Sequence, residues 1–149
     1  MTPVLAAALL TAGIAALAPG PDLRVAEVRA QERAATPGEL RVPTTVRNAG
    51  DRRAGASRTR YYLSRDRERG GDVRIGSAHV AALRAGRSRT GTAALLVPVG
   101  LKEGGWYVLA CADAGRAVKE RREGNNCAAS RTAVAVQPQT LPDIPPGPG

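Results

Sequence analysis

Three acidic residues, Asp66, Glu68 and Asp72, lie close together in one polar segment of the chain. Carboxylate oxygens on a loop are ligands that Ca²⁺ prefers, so these residues are weak candidates for a calcium site. Arginines alternate with them and would repel a divalent cation, and the spacing differs from that of an EF-hand loop. The competing interpretation is a solvated loop of mixed charge. We predict no metal and no other cofactor.

A second acidic group, Asp113, Glu120 and Glu123, is an equally weak candidate for calcium. The single histidine, His79, has no acid–base partner at a recognisable spacing and is interpreted as a polar strand residue. The chain lacks a Gly-x-Ser-x-Gly elbow, a His-Glu-x-x-His motif and a glycine-rich phosphate loop. We therefore predict that the protein is not an enzyme. A secreted hydrolase is the alternative, which a cleft with paired acids or a Ser–His contact would favour.

Residues 1–18 are predicted to be a signal peptide. The chain carries no charged side chain before Asp22, and an apolar run ends in Ala16-Leu17-Ala18, a small-x-small pattern typical of a cleavage site. A membrane anchor is the alternative, although the run consists largely of alanine, which is only weakly apolar. Export places the protein in a secreted, periplasmic or cell-surface location, with no integral membrane segment after cleavage.

Cys111 and Cys127, 16 positions apart, are predicted to form a disulfide, because exported proteins occupy an oxidising space. We expect Cys111 to share a face with Tyr107, whose ring is predicted to be core. If Val134 and Val136 face the core and the last strand alternates strictly, Cys127 faces outward. A bulge or an irregular start to the last strand would then be needed to join the two sulfurs.

The formal net charge of +9 comes from 22 Lys plus Arg against 13 Asp plus Glu, and Lys102 and Lys119 are the only lysines. Such a charge favours anionic partners, but a GC-rich coding bias toward arginine is the preferred explanation. The segments 65–74 and 84–89 are the candidate contacts for an anionic envelope or matrix polymer. Export and the scarcity of aromatic residues argue against intracellular nucleic acid.

After Pro21 the chain alternates apolar and polar residues in short runs separated by turn residues, which predicts an all-β fold of about seven strands. Along Leu40–Asn48 the alternation places Leu40 and Val46 on one face and Arg41 on the other. Pro43 cannot donate a ladder hydrogen bond and requires an edge, a bulge or a free position. Asn48-Ala49-Gly50 closes this strand with residues that tolerate positive φ.

Several short motifs, in this order and spacing, resemble the CARDB domain, a bacterial module named for a role in cell adhesion. They are Pro21-Asp22-Leu23, Val46-Arg47-Asn48-Ala49-Gly50, Arg60-Tyr61-Tyr62-Leu63-Ser64-Arg65-Asp66, Gly71-Asp72, Gly105-Trp106-Tyr107, Ala117-Val118-Lys119-Glu120 and Glu123-Gly124-Asn125-Asn126. The resemblance implies an immunoglobulin-like antiparallel β-sandwich at residues 21–136. Asn125 and Asn126 are interpreted as structural, because asparagine side chains bond neighbouring backbone.

The expected function is that of an exported, non-enzymatic immunoglobulin-like module for adhesion, binding or spacing at the bacterial cell surface. Its partner would be a protein or glycan of unknown identity at that surface, or an anionic polymer. The proline-rich residues 137–149 are predicted to be a disordered tail, because they offer too little apolar surface to fold.

Overall fold

The computed structural model describes residues 17–140 and 145–149, so all but the last two residues of the predicted signal peptide lie outside it. The described part contains no helix. Its nine strands are β1 (Leu23–Val28), β2 (Arg33–Thr36), β3 (Gly38–Asn48), β4 (Ser57–Ser64), β5 (Val73–Val80), β6 (Ser88–Val97), β7 (Gly104–Cys111), β8 (Cys127–Ala129) and β9 (Val134–Pro138).

Two sheets pack face to face and enclose one hydrophobic core. The smaller sheet has the order β1-β3-β6, and the larger has the order β2-β9-β7-β4-β5, with β8 paired to β7. Every pairing is antiparallel except the four-residue pairing of β2 with β9. The predicted immunoglobulin-like β-sandwich is confirmed.

Strand β3 shows how the sequence pattern makes this fold. Its residues Leu40, Val42 and Val46 are almost fully buried, whereas Arg41 lies on the exposed face, as the alternation predicts. Pro43 lies in a central strand, and its carbonyl accepts a hydrogen bond from the N–H of Arg29, just after β1 ends. In an antiparallel ladder the nitrogen and carbonyl of one residue point to the same neighbouring strand. The nitrogen of Pro43 therefore points toward the chain just beyond the end of β1, which is the free position that the sequence required.

The strand count differs from the prediction of about seven for three local reasons. Strand β2 has little alternation and pairs over four residues at a sheet edge, so its sequence gives a weak signal. Strand β5 is continuous where two strands were expected. Gly76 lies at a shift in its register with β4, and a Cβ there would come within 2.8 Å of Leu95 Cδ2. Glycine thus allows β5 to approach β6.

The predicted last strand is divided into β8 and β9 at Ser130, whose hydroxyl accepts a hydrogen bond from the N–H of Val108 and donates one to the carbonyl of Thr132. Strand β9 continues through Pro138, two residues past the predicted domain end. The carbonyl of Thr36 also accepts a bond from the N–H of Gln139. The first residues after Val136 are therefore held by the edge of the larger sheet.

Cys111 and Cys127 are joined and face each other directly across β7 and β8. The expectation that Cys111 faces the core while Cys127 faces outward was wrong. Ala110 and Ala112 belong to the core, and Cys111 lies between them on the outer face. Both sulfurs point away from the core, so no bulge is needed. Tyr107 shares this outer face and is only half-buried, so its assignment to the core was also wrong.

Candidate functional site

Asn48 organises one end of the sandwich, where the β3–β4, β5–β6 and β7–β8 connections meet. Its Oδ1 accepts hydrogen bonds from the N–H groups of Asp22 at 3.1 Å and Gly50 at 3.0 Å. Its Nδ2 donates to the carbonyls of Arg52 at 2.7 Å and Leu83 at 3.1 Å. We call this the Asn48 end. One buried amide therefore fixes three separate stretches of backbone.

Gly50 is required here by close packing and not by its φ angle. None of Asn48, Ala49 and Gly50 adopts positive φ, so the tolerance of positive φ noted for these residues is not used here. A Cβ at Gly50 would lie 2.7 Å from the nitrogen of Asp22 and would contact the carbonyl oxygen of Gly20 even more closely. The missing side chain lets the β3–β4 turn contact the segment that leads into β1.

Asp22 is a buried carboxylate at the same end. Burial alone would raise its pKa, but hydrogen bonds from Arg24 and Asn125, together with the charges of Arg24 and Arg122, hold the pKa below its usual value of 3.8. The Asn125 bond is 2.9 Å long and spans 103 positions of sequence. The structural role predicted for Asn125 is thus visible in the contacts.

Asp113, Glu120 and Glu123 converge at the Asn48 end, and their carboxylate oxygens lie within 4.8 Å of one another. Asp113 accepts hydrogen bonds from the N–H groups of Ala117 and Val118. Glu120 accepts one from Leu23, and burial, with the neighbouring charges of Glu123 and Asp113, raises the pKa of Glu120 to about 7. Two of these three acids are buried.

The first acidic group, Asp66, Glu68 and Asp72, does not converge in this way. Within residues 17–140 and 145–149, the Asp113 group is the one set of three possible metal-ligating side chains gathered this closely. Asp66 Oδ1 instead accepts bonds from Ser64 and from the N–H of Glu68, and Asp72 pairs with Arg69 at 2.6 Å. These acids order their own loop.

The arginines of this loop stack on aromatic rings. Arg65 lies 4.1 Å from the ring centre of Trp106, Arg67 lies 5.0 Å from that of Tyr107, and Arg69 lies 3.6 Å from that of Tyr62. Arg65 and Arg67 also donate to backbone carbonyls. Cation–π contacts of this kind stabilise a loop, and they cover ring faces that nucleobases would otherwise stack on.

The two arginine segments expected to contact an anionic polymer lie at opposite ends of the sandwich. The loop before β5 follows the end of β4, whereas residues 84–87 are bonded to Asn48 at the other end. A groove of about 560 Å³ at the Asn48 end is lined by residues 18–21, by the cationic Arg52, Lys119 and Arg121, and by the acidic Glu120. This groove could not be predicted from residue spacing, because folding brings distant loops together there.

The remaining cavities are polar or small. One cavity, of about 580 Å³, lies beside the bulge in β1 and is lined by residues 26–30 and parts of the β8–β9 region. His79 is exposed on the edge strand β5 and borders a cleft of about 140 Å³ between the sheets, with Tyr61 and Thr59. No helix in the described residues is long and apolar enough to cross a membrane.

The order of the strands in the two packed sheets defines an immunoglobulin-like β-sandwich. The CARDB family model matches residues 20–130. The chain therefore belongs to the CARDB family, a family of cell-surface-associated, non-catalytic modules. The comparison with curated proteins found no match.

Solved structures support the same fold. A CARDB domain from Pyrococcus furiosus, crystallised in complex with di-metal ions, is 22% identical, with a TM-score of 0.57, covering 79% of this chain and 90% of that one. A domain from a protein named as a cell surface protein of Methanosarcina acetivorans is 12% identical, with a TM-score of 0.53, covering 83% and 98%.

A β-glucosidase from Erythrobacter marinus is also similar in fold, at 21% identity and a TM-score of 0.51. The match covers 77% of this chain but 16% of the glucosidase. The similarity therefore concerns one sandwich domain within a much larger enzyme and carries no catalytic implication for this chain.

Proposed function

We propose that this protein is an exported, non-catalytic immunoglobulin-like module that binds or spaces other molecules at the cell surface. The observation that carries the proposal is the disulfide between Cys111 and Cys127 within a CARDB sandwich. Disulfides persist in oxidising compartments and are rare in the cytosol. The cell surface protein of Methanosarcina acetivorans that shares the fold fits the same location.

Residues 1–18 act in this proposal as the export signal. The described fold begins just afterwards, at the buried Gly20 and Asp22, so removal of the signal would leave every strand in place. The partner is a surface protein or glycan, contacted through loops or a sheet edge.

A binding assay on intact cells tests the proposal. The full mature chain, labelled with a fluorophore, is added to cells of the producing organism. We expect saturable retention that unlabelled protein displaces. Reduced and alkylated chain serves as the misfolded control and should not compete. Retention that is absent, or that never saturates, would contradict the proposal.

Binding of an anionic envelope or matrix polymer is the second candidate function. The groove at the Asn48 end favours it, because Arg52, Lys119 and Arg121 line one surface and Arg121 Nε is buried there without a hydrogen-bond partner among the described residues. Guanidinium groups form strong hydrogen bonds with sulfate, phosphate and carboxylate.

Heparin serves as the probe for this candidate. The double variant Arg52→Ala/Lys119→Ala should weaken binding about tenfold and reduce its salt dependence, whereas the matched variant Arg33→Ala/Lys102→Ala should change affinity less than about twofold. Equal losses in both variants would assign binding to net charge alone. No binding at low salt would exclude the candidate function.

A further inference from the structure

The acidic cluster at the Asn48 end has the geometry of a binding site for a hard cation. Three carboxylate groups, from Asp113, Glu120 and Glu123, lie within 4.8 Å of one another in a chain whose net charge is strongly positive. None of the four ion pairs in the described part of the chain involves them. Their mutual repulsion is therefore not offset by a paired Lys or Arg.

Backbone N–H groups hold these carboxylates in place. Asp113 is bonded at 2.9 and 3.0 Å, Glu120 at 2.5 Å, and Glu123 Oε1 accepts a 3.0 Å bond from the N–H of Glu120. Each ionised carboxylate has about four acceptor positions, so the bonds orient the groups and leave acceptor capacity unused. A cation would meet preoriented ligands.

Asn126 gives a second, independent indication of a ligand. Its side chain is 8% exposed, and Nδ2 donates to Glu120 Oε1 at 2.6 Å and to the carbonyl of Ala112 at 3.2 Å. Both donations fix the amide orientation, and Oδ1 is left buried without a partner among the described residues. Buried polar atoms are rarely unpartnered, so this oxygen needs an explanation.

A cavity of about 120 Å³ beside the disulfide borders three of these four residues, and Glu120 approaches from the adjoining groove. Asp113, Glu123 and Asn126 line it, together with Cys111 and Cys127. Arg116 also borders the cavity but forms no ion pair with the acids. The volume accommodates an ion and water molecules, and the exposed Glu123 lies at the side from which an ion would enter.

We propose that Asp113, Glu120, Glu123 and Asn126 Oδ1 bind a calcium ion, with water completing its coordination from the cavity. Ca²⁺ accepts carboxylate and amide oxygens in irregular geometry, whereas Mg²⁺ demands near-octahedral ligands and Zn²⁺ favours nitrogen and sulfur. The ion would fasten the β7–β8 connection to the start of β1, because Glu120 also contacts Leu23.

Calorimetric titration of the chelator-treated full chain with Ca²⁺ tests the site. We expect one ion per chain with a Kd of about 10⁻⁴ M, within the range of extracellular calcium modules. Glu123→Gln retains the bond from the N–H of Glu120 but removes a charge, and should weaken binding at least tenfold. Glu68→Gln, the matched change in the other acidic loop, should bind as the unaltered chain does.

Thermal unfolding with and without Ca²⁺ gives a readout that does not depend on heat of binding. Calcium should raise Tm for the unaltered chain and for Glu68→Gln, and much less for Glu123→Gln. No binding at millimolar Ca²⁺, equal binding by both variants, or tighter binding of Mg²⁺ would each overturn the proposal. The outcome is independent of whether the chain binds cells.

Discussion

At the scale of single residues, Asn48 shows how one amide can define an end of the molecule. It is fully buried, and its four hydrogen bonds reach Asp22, Gly50, Arg52 and Leu83. If the side chain were truncated, the groups of Asp22, Gly50 and Arg52 would lose this bond, whereas the carbonyl of Leu83 would keep its bond from the N–H of Ala54. The cost of leaving buried polar groups unpaired exceeds the net gain of an ordinary hydrogen bond.

Replacing Asn48 by alanine should therefore lower the free energy of unfolding by about 4 kcal/mol, which urea denaturation would measure. Thr45→Ala, which removes an exposed hydroxyl bonded to Thr90, is the control and should cost less than about 0.5 kcal/mol. Similar losses for the two variants would mean that Asn48 does not hold together the segment before β1, the β3–β4 turn and the β5–β6 connection.

Glu120 should make stability depend on pH. Its folded pKa of about 7 lies above the ordinary value of 4.5, so the folded chain binds more protons than the unfolded chain between these values. The free energy of unfolding should fall by on the order of 3 kcal/mol as the pH rises from about 4.5 to above 7, because burial, and then the charges of Glu123 and Asp113, disfavour ionised Glu120.

Urea denaturation in a chelator at pH 5 and pH 8 measures this effect. Glu120→Gln cannot titrate, so its stability should change much less over the same interval, whatever its absolute stability. An equal dependence in both chains would show that Glu120 ionises normally in the folded protein.

The candidate site was only partly predictable from residue types. The sequence identified both acidic groups, but it ranked Asp113, Glu120 and Glu123 no higher than Asp66, Glu68 and Asp72. What separates them is convergence in space, which depends on the bonds from Ala117, Val118 and Leu23. Spacing along a loop carries no information about such backbone contacts.

At the scale of elements, the disulfide links the three-residue strand β8 covalently to β7. It closes a 16-residue separation between strands β7 and β8. A cross-link of this length contributes about 3 kcal/mol in the chain-entropy model. The acidic cluster lies within the closed loop, so the disulfide also limits where that loop can move.

Cys111→Ala/Cys127→Ala should lower the free energy of unfolding by about 3 kcal/mol, as measured by urea denaturation. Reduction of the unaltered chain should have a comparable effect, whereas a reductant should leave the double variant unchanged. A variant as stable as the oxidised chain would contradict the assigned role.

The β4–β5 loop is ordered by its arginines, and Arg69 is the best-placed of them. It covers the ring of Tyr62 and pairs with Asp72, whose side chain is 1% exposed. Arg69→Ala should therefore destabilise the fold by about 1 kcal/mol, whereas the exposed Arg74→Ala should be nearly neutral in the same denaturation assay. Equal stabilities would assign no structural role to the stacking.

The strands were far more predictable than their contacts. Alternation correctly placed Leu40 and Val46 on the buried face of β3, because a buried face imposes a period of two. It failed where tertiary contacts decide, as at Gly76, which reads as a break and instead permits the approach of β5 to β6. Alternation also assigned the wrong face of β7 to the core, because both faces of this strand carry bulky residues.

At the scale of the whole molecule, the positive charge is divided between unlike ends. The arginines of the β4–β5 loop contact rings and carbonyls, whereas the Asn48 end has a basic groove that adjoins the acidic cluster, with Glu120 bordering both. The net charge of +9 therefore does not describe one continuous cationic surface. The Asn48 end is the region where ligand binding is proposed.

The central claim is that the chain works outside the cytoplasmic membrane. The most direct measurement labels intact cells with an amine reagent that cannot cross that membrane, since Lys102 and Lys119 are both exposed, and then counts free thiols in the denatured chain. We predict labelling of the cell-bound or released chain without lysis, and no free thiols. Labelling only after lysis, with both cysteines reduced, would contradict the account.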